Sequence, residues 1–366
     1  MSTSMSLFMA FISLGMVFFF TGCFLAARPA SGTTEWINYK CGRKFNFCPA
    51  PKPLTKFDII PLAILLLSAA GIAVLNSIFI PHGNADMSYL AALIDVPLLT
   101  IGTCHIYPSH LAFVVLISLL YIFIKNLTDG YLIPLSGVIL ILLDSFCLLS
   151  IGNIAIIFAN LFSITAFYLA YRFAVTAKKL YLPFVGIALS IGMVFSASAS
   201  LAAIGVLVIF VIKEVTLYLA DKDKKQTVIR AVLFAVFCLI IPTLIYFTVR
   251  SFGFVEVFNI FDTDALLKLP ALSLMVSVGG LMALPCCIYQ VVNTKDGISL
   301  FSIIPFAVYI LSAVMFGCKG LLPILAIPVI SRSFTALSNR KLNAWIIAYL
   351  VTAALFTGSM LIYSLM

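Results

Sequence analysis

Apolar stretches long enough to cross a lipid bilayer recur from end to end of this 366-residue chain. A hydrocarbon core about 30 Å thick needs roughly 20 apolar residues per helix, and that requirement sets the architecture before any motif is considered. Hydrophobic residues make up 63% of the chain and charged residues 10%, with a mean hydropathy of +1.19, so the polar surface of a water-facing domain is missing. The runs do not alternate with period two, as strands with a lipid-facing and a lumen-facing side would. The expected fold class is therefore all-α, a polytopic transmembrane helical bundle of about 12 spans (11–13).

The spans are expected near Ser6–Ala27, Asp58–Ile80, Leu111–Ile124, Tyr131–Leu149, Ile151–Tyr171 and Tyr181–Phe195, then near Leu201–Leu219, Ala231–Val249, Leu269–Val291, Leu300–Phe316, Leu321–Phe334 and Leu342–Leu365. This divides the chain into an N-terminal helix with a basic inner loop, residues 1–57, and a transmembrane helical domain, residues 58–366. Thr21-Gly22-Cys23 faintly resembles a lipoprotein cleavage site, but no Lys or Arg precedes the first apolar run, so a retained helix is expected.

Charge decides the one ambiguous stretch, Tyr89–Thr103, which is apolar but short and interrupted by Asp95 and Pro97. If it does not span, 19 of the 22 Lys and Arg residues fall on one side, in segments Arg28–Lys56, Lys125–Gly130, Arg172–Lys179, Lys213–Arg230, Thr294–Gly297 and Arg332–Lys341. Only Arg250, Lys268 and Lys319 lie opposite. If it did span, every later loop would change sides and the positive-inside bias would be lost. Tyr89–Thr103 is thus expected as a non-spanning helix within an outer loop running from Pro81 to His110. The net charge of +9 is explained by insertion topology, and nucleic acid is not an expected partner. The expected partners are membrane lipids.

The chain carries no phosphate-binding glycine loop, dinucleotide fingerprint, HExxH pair or nucleophile elbow, which excludes ATP hydrolysis and zinc proteolysis by those routes. Most of the nine cysteines lie in apolar runs, while Cys41 and Cys48 share a polar segment where two free thiols, a pair or a shared metal are all open. Ionisable residues cluster in the first long outer loop, which holds all three histidines, His82, His105 and His110, with Asp86 and Asp95. A carboxylate beside imidazoles near an interface serves as general base or holds a divalent cation; the plainer alternative is a set of solvated loop residues. Asp144 interrupts an apolar stretch and is either a functional carboxylate or a helix-end one. Arg250 ends a span on the sparsely positive side, positioned to grip a lipid-linked phosphate or to snorkel to headgroups. Asn76, Asn153, Asn160 and Gln290 read as glue between helices. The sequon Asn126-Leu127-Thr128 falls on the inner side and is discounted.

The order of these features resembles the multi-spanning, lipid-carrier-dependent glycosyltransferases of the GT-C fold, in particular the protein O-mannosyltransferase-like group. The resemblance rests on PLTKFD (Pro53–Asp58) launching a helix, the acidic outer loop, LLDSFCLLSIGNIAIIFANLF (Leu142–Phe162) and LPFVGIALSIGMVFSASASLAAIGVLVIFVI (Leu182–Ile212). It implies Asp86 in NADMSYLAA as catalytic base or metal-assisting carboxylate, possible use of a divalent cation, and Asp144 as the Asp opening the second segment. It also implies a polyprenyl-phosphate sugar donor and the cytoplasmic membrane of a prokaryote. Three positions depart from the family: Asn153 precedes Ile154-Ala155 where an Arg is usual, apolar Phe158 or its neighbours replace a later acidic residue, and Phe195-Ser196-Ala197-Ser198 stands where a Lys-Trp pair commonly follows. A transporter or flippase for a lipid-linked or small polar solute, and a non-catalytic member of an envelope-assembly complex, are the alternative readings. An enzyme needs its polar groups at the outer loop, a transporter near the bilayer midplane.

The topology predicts that a cysteine at Ser88, in a background without other thiols, reacts with an impermeant thiol reagent in intact cells, whereas one at Lys224 does not. Reversed labelling would refute the orientation.

Overall fold

The computed structural model describes residues 13–23, 25, 54–79, 94–101, 104–221, 224–251, 273–293, 296–316 and 320–365. In chain order the helices are α1 (Ser13–Cys23), α2 (Lys56–Phe79), α3 (Pro108–Leu127), α4 (Leu132–Leu142), α5 (Ser145–Ser150), α6 (Ile154–Thr176) and α7 (Tyr181–Phe195). There follow α8 (Ser200–Asp221), α9 (Lys224–Phe234), α10 (Ile241–Ser251), α11 (Leu274–Asn293), α12 (Gly297–Phe316), α13 (Ile327–Asn339) and α14 (Asn343–Leu365). A π-helical turn, Ala235–Ile240, joins α9 to α10 without a break, and a 3₁₀ turn, Pro323–Ala326, leads into α13. Seven helices among the described residues are long and apolar enough to cross a membrane: α2, α3, α6, α8, the α9–α10 rod, α11 and α12. The chain is thus a multi-pass α-helical membrane protein.

In their described parts the expected spans fall largely on helix, and the one expected over Tyr131–Leu149 is broken. At about 1.5 Å per residue, an 11-residue helix such as α4 covers only about 16 Å. The apolar run from Tyr131 stops because Asp144 turns extended and its Oδ1 accepts from Cys147 N at 2.9 Å, capping α5. Asn153 repeats the device for α6, its Oδ1 accepting from Ile156 N at 3.1 Å.

The expected non-spanning helix at Tyr89–Thr103 is corrected in its described part. Leu99–Ile101 pairs antiparallel with Cys104–Ile106, in the register Leu99↔Ile106, Thr100↔His105 and Ile101↔Cys104. Pro97 has no N–H to give a helix and disfavours the helical region at Val96, and the β-branched Thr100 and Ile101 suit a strand. Likewise Lys213–Arg230, read as an inner loop, is mostly helix: Lys213 and Glu214 belong to α8 and Arg230 to α9.

The most enclosed part of the bundle is the stretch from Gly320 to Ser331, buried at every position. Around it α13 packs against α3, α4, α11, α12 and α14. The N-terminal helix joins the same bundle, since Phe19 stacks on Tyr349 at 4.0 Å and meets Phe334 edge-on at 5.8 Å. At the periphery, α2 exposes Phe57, Ile60 and Leu67, and the α9–α10 rod exposes Val228, Leu244 and Phe247, as lipid-facing helices should.

Backbones approach most closely where α7 meets the π turn: a Cβ at Gly186 would collide with the Phe237 carbonyl oxygen. Gly186→Val should therefore destabilise the protein by roughly 1–3 kcal/mol, the usual cost of overpacking. Gly71→Ala, on the open face of α2 with nothing within 4 Å, should be neutral or stabilising. Thermal unfolding of both variants in one detergent checks the contrast.

Candidate functional site

Two consecutive residues near the end of α2 organise one end of the bundle. Asn76 Nδ2 donates to Leu148 O at 2.8 Å, fastening α5 and the turn that carries Asp144. Ser77 Oγ lies 3.1 Å from Cys104 Sγ, fastening the hairpin that carries His105. The Leu99–Ile106 hairpin and the α4–α5 turn, distant in sequence, are thus both held by α2.

Within this cluster Asp144 is buried, at 4% exposure, and both carboxylate oxygens are engaged. Oδ1 caps α5, and Oδ2 accepts from Ser273 Oγ, just before α11. One residue earlier, Leu143 O accepts from Thr357 Oγ1 of α14. Asp144 thus stands at a helix start, as one of the two readings has it, but buried, and it ties the α4–α5 turn to Ser273 while its neighbour Leu143 ties the turn to α14.

His110 is buried in the first turn of α3, where its Nδ1 accepts from Tyr107 N at 3.1 Å and closes a capping box. His105 is half-buried in the hairpin, with Nδ1 3.3 Å from Thr100 Oγ1 and no partner at Nε2 among the described residues. Asp95 is half-buried in the extended run leading to the same hairpin. His82, Asp86, Cys41 and Cys48 lie outside the described residues. Among the described residues no group of three or more His, Cys, Asp or Glu is arranged to hold a metal ion.

Arg250 is half-buried near the end of α10 and hydrogen-bonds the Tyr246 phenol one turn back on the same helix. Since α10 packs on α7, Arg250 stands on different elements from those that hold Asp144. The sequon residues Asn126 and Thr128 are buried, at 3% and 0% exposure.

Sequence reasoning missed three ion pairs among the described residues, one of them buried and two partly buried. Lys125 Nζ lies 2.8 Å from Asp58 Oδ1, Arg230 Nε lies 2.7 Å from Glu214 Oε1, and Arg332 Nη2 lies 2.5 Å from Asp296 Oδ2. Asp58 also accepts from Tyr121 OH at 2.9 Å and from Thr55 N and Oγ1 at 2.7 and 2.6 Å. Lys125–Asp58 and Arg332–Asp296 link separate parts of the side that the charge bias assigns as inner, Arg230–Glu214 lies within the segment Lys213–Arg230, and Lys179 Nζ, 2.6 Å from Gln226 Oε1, links that segment to Arg172–Lys179. At Asp296, in the α11–α12 turn, burial alone would raise the carboxyl. The Arg332 charge and hydrogen bonds from Ser299, Arg332 and Ile298 N outweigh it and hold the group below its ordinary value. The only advance signal was an excess of charge at span ends, which names no partners.

Asp144→Ala should leave the Ser273 hydroxyl and the Cys147 N–H buried without their acceptor. A loss of roughly 1.5–3 kcal/mol in unfolding free energy is expected, whereas Asp144→Asn, keeping an acceptor for the cap, should lose less. Thermal and denaturant unfolding of the pair measures both. Compared with protein-family models, curated proteins and solved structures, the chain matches none of them significantly.

Proposed function

We propose that this chain is a membrane glycosyltransferase that moves a sugar from a polyprenyl-phosphate-linked donor at the outer face of the membrane, on a GT-C-like bundle of about 12 spans. The observation that carries the reading is the pairing of Asn76 and Ser77, which bring the His105 hairpin and the Asp144 turn to one place at the outer end. A transferase acting on a lipid-borne donor needs its base there, at the boundary between bilayer and water. In this reading Asp86 is the base, His105 supplies a second proton acceptor at Nε2, a divalent cation is an optional aid, and Asp144 positions the turn. Arg250 anchors the donor phosphate by two parallel hydrogen bonds, which a lysine cannot reproduce.

A second reading is favoured by a different observation. The non-helical backbone at Leu321 and Leu322 is buried, its N–H groups donating to Ser312 Oγ at 2.7 Å and Asn160 Oδ1 at 3.0 Å. Irregular backbone inside a bundle is a common feature of transporters, so a flippase for a lipid-linked solute is the alternative.

Purified protein in liposomes with a polyprenyl-phosphate-linked sugar separates the readings. Transfer of the sugar to an acceptor or water, abolished by Asp86→Asn with thermal stability unchanged, supports the enzyme. Translocation of the intact donor without cleavage supports the flippase. For the phosphate anchor, donor affinity should fall in Arg250→Lys and further in Arg250→Gln, with losses on the order of 1–3 kcal/mol. Equal affinities across the three forms would remove Arg250 from the site.

A further inference from the structure

The turn between α6 and α7 meets the first turn of α9 at one polar contact, and positive charge gathers around it. Ala177 closes α6 in the left-handed region, at φ 54°, with its N–H donating to Phe173 O at 2.7 Å, so the chain leaves the helix axis just before Lys178. Lys179 turns towards α9, where its Nζ donates to Gln226 Oε1 at 2.6 Å. That contact brings Lys178, on one element, and Lys224 and Lys225, on the other, to the same corner of the bundle, and all three are exposed. From Arg172 to Arg230 the chain holds eight Lys and Arg against three Asp and Glu, and of these acids Glu214 is already taken by Arg230 at 2.7 Å.

Apolar side chains lie directly behind these charges. Leu180 is 69% exposed in the turn itself, and Phe184, one turn into α7, is 50% exposed. On the α9–α10 rod Val228 and Val232, one and two turns from Lys224, are 59% and 56% exposed. At about 1.5 Å per residue, Val228 stands roughly 6 Å from Lys224 along the helix. The rod and α7 are neighbours, since the Gly186 backbone approaches the Phe237 carbonyl. The corner thus presents ammonium groups at its edge and hydrocarbon within one turn of them, on two adjacent elements. A soluble anion would satisfy the lysines and do nothing for Leu180. A phospholipid of net negative charge satisfies both, because its phosphate and its chains are separated in the same order as the lysines and the apolar side chains.

We propose that this corner is a binding site for an anionic phospholipid, whose headgroup bridges the α6–α7 turn to α9 through Lys178, Lys224 and Lys225 and whose acyl chains lie against Leu180 and Val228. The bound lipid staples the start of the lipid-exposed rod to α7 beside the Lys179–Gln226 contact. The site is independent of the transfer reaction proposed above.

The test uses the full-length protein in detergent, titrated with phosphatidylglycerol or with phosphatidylcholine of the same chains, the bound lipid being counted by native mass spectrometry. The parent should bind phosphatidylglycerol about tenfold more tightly than phosphatidylcholine, and Lys178→Gln/Lys224→Gln should bind the two alike. Lys56→Gln/Lys341→Gln, which removes the same charge from exposed positions on α2 and in the α13–α14 turn, should keep the preference of the parent. Leu180→Gln should weaken both lipids, and inorganic phosphate in millimolar excess should displace neither. Thermal stability without added lipid should be the same in all these forms. A parent without preference, or a preference that survives in Lys178→Gln/Lys224→Gln, overturns the site. Equal loss in the two double variants overturns it too, because the selectivity would then belong to the overall charge. Displacement by inorganic phosphate, with Leu180→Gln binding as the parent does, refutes the lipid and leaves a soluble anion in its place.

Discussion

Backbone polar groups inside a bilayer have no water to turn to, so each departure from the helix must find its hydrogen bonds within the protein. That constraint explains why the polar side chains of this chain stand where they do. Asp144 and Asn153 each take up an amide at a helix start, Thr357 satisfies Leu143 O, and Ser312 and Asn160 satisfy the amides of Leu321 and Leu322. The interior polar residues are thus largely the means by which the chain breaks its helices at chosen points. Those breaks let α13, too short to be a full span, sit at the centre of the bundle.

The charged residues obey the same constraint more severely, because an unpaired ion in hydrocarbon costs several kcal/mol or more. The three ion pairs each join two elements, and two of them, Lys125–Asp58 and Arg332–Asp296, are reinforced by neutral donors or a backbone carbonyl. Lys125 is the fullest case, since it bridges Asp58 to Gly130 O at 2.9 Å and so fixes the α3–α4 turn, where Gly130 takes a positive φ of 73°. The cost of burying these groups is borne where they hold turns, not along the lipid-facing stretches of α2 or α10.

Long-period features were legible in the sequence and pairings were not. The apolar helices, seven of them among the described residues long enough to cross a membrane, could be read because a run of roughly 20 apolar residues is a length signal that needs no partner to be recognised. The grouping of the cationic segments at one end followed from charge counting, and contacts such as Lys179–Gln226 and Arg332–Asp296 join those segments. The Leu99–Ile106 hairpin was missed because a short apolar run with a central proline has no period to read, and only the facing strand decides it. The candidate site was legible as a composition, histidines and carboxylates in one loop. That His110 caps a helix while His105 meets Thr100 through Nδ1 depends on Tyr107 and Thr100, and spacing alone says nothing of either.

The helix α2 shows how the two ends are made to answer to the membrane. It is exposed to lipid over most of its length, yet Asp58 near its start enters the Lys125 network and Asn76 near its end enters the α5 turn. Eighteen residues of helix separate these anchors, about 27 Å at 1.5 Å per residue, close to the roughly 30 Å of the hydrocarbon core. Both anchors are enclosed by protein, Asp58 at 1% and Asn76 at 6% exposure, and the apolar stretch between them needs no side-chain partner. A helix pinned in this way cannot slide along its axis without leaving a buried carboxylate and a buried amide unpaired. The same helix fixes the position of the His105 hairpin and of the Asp144 turn relative to the rest of the bundle, because both hang from Asn76 and Ser77.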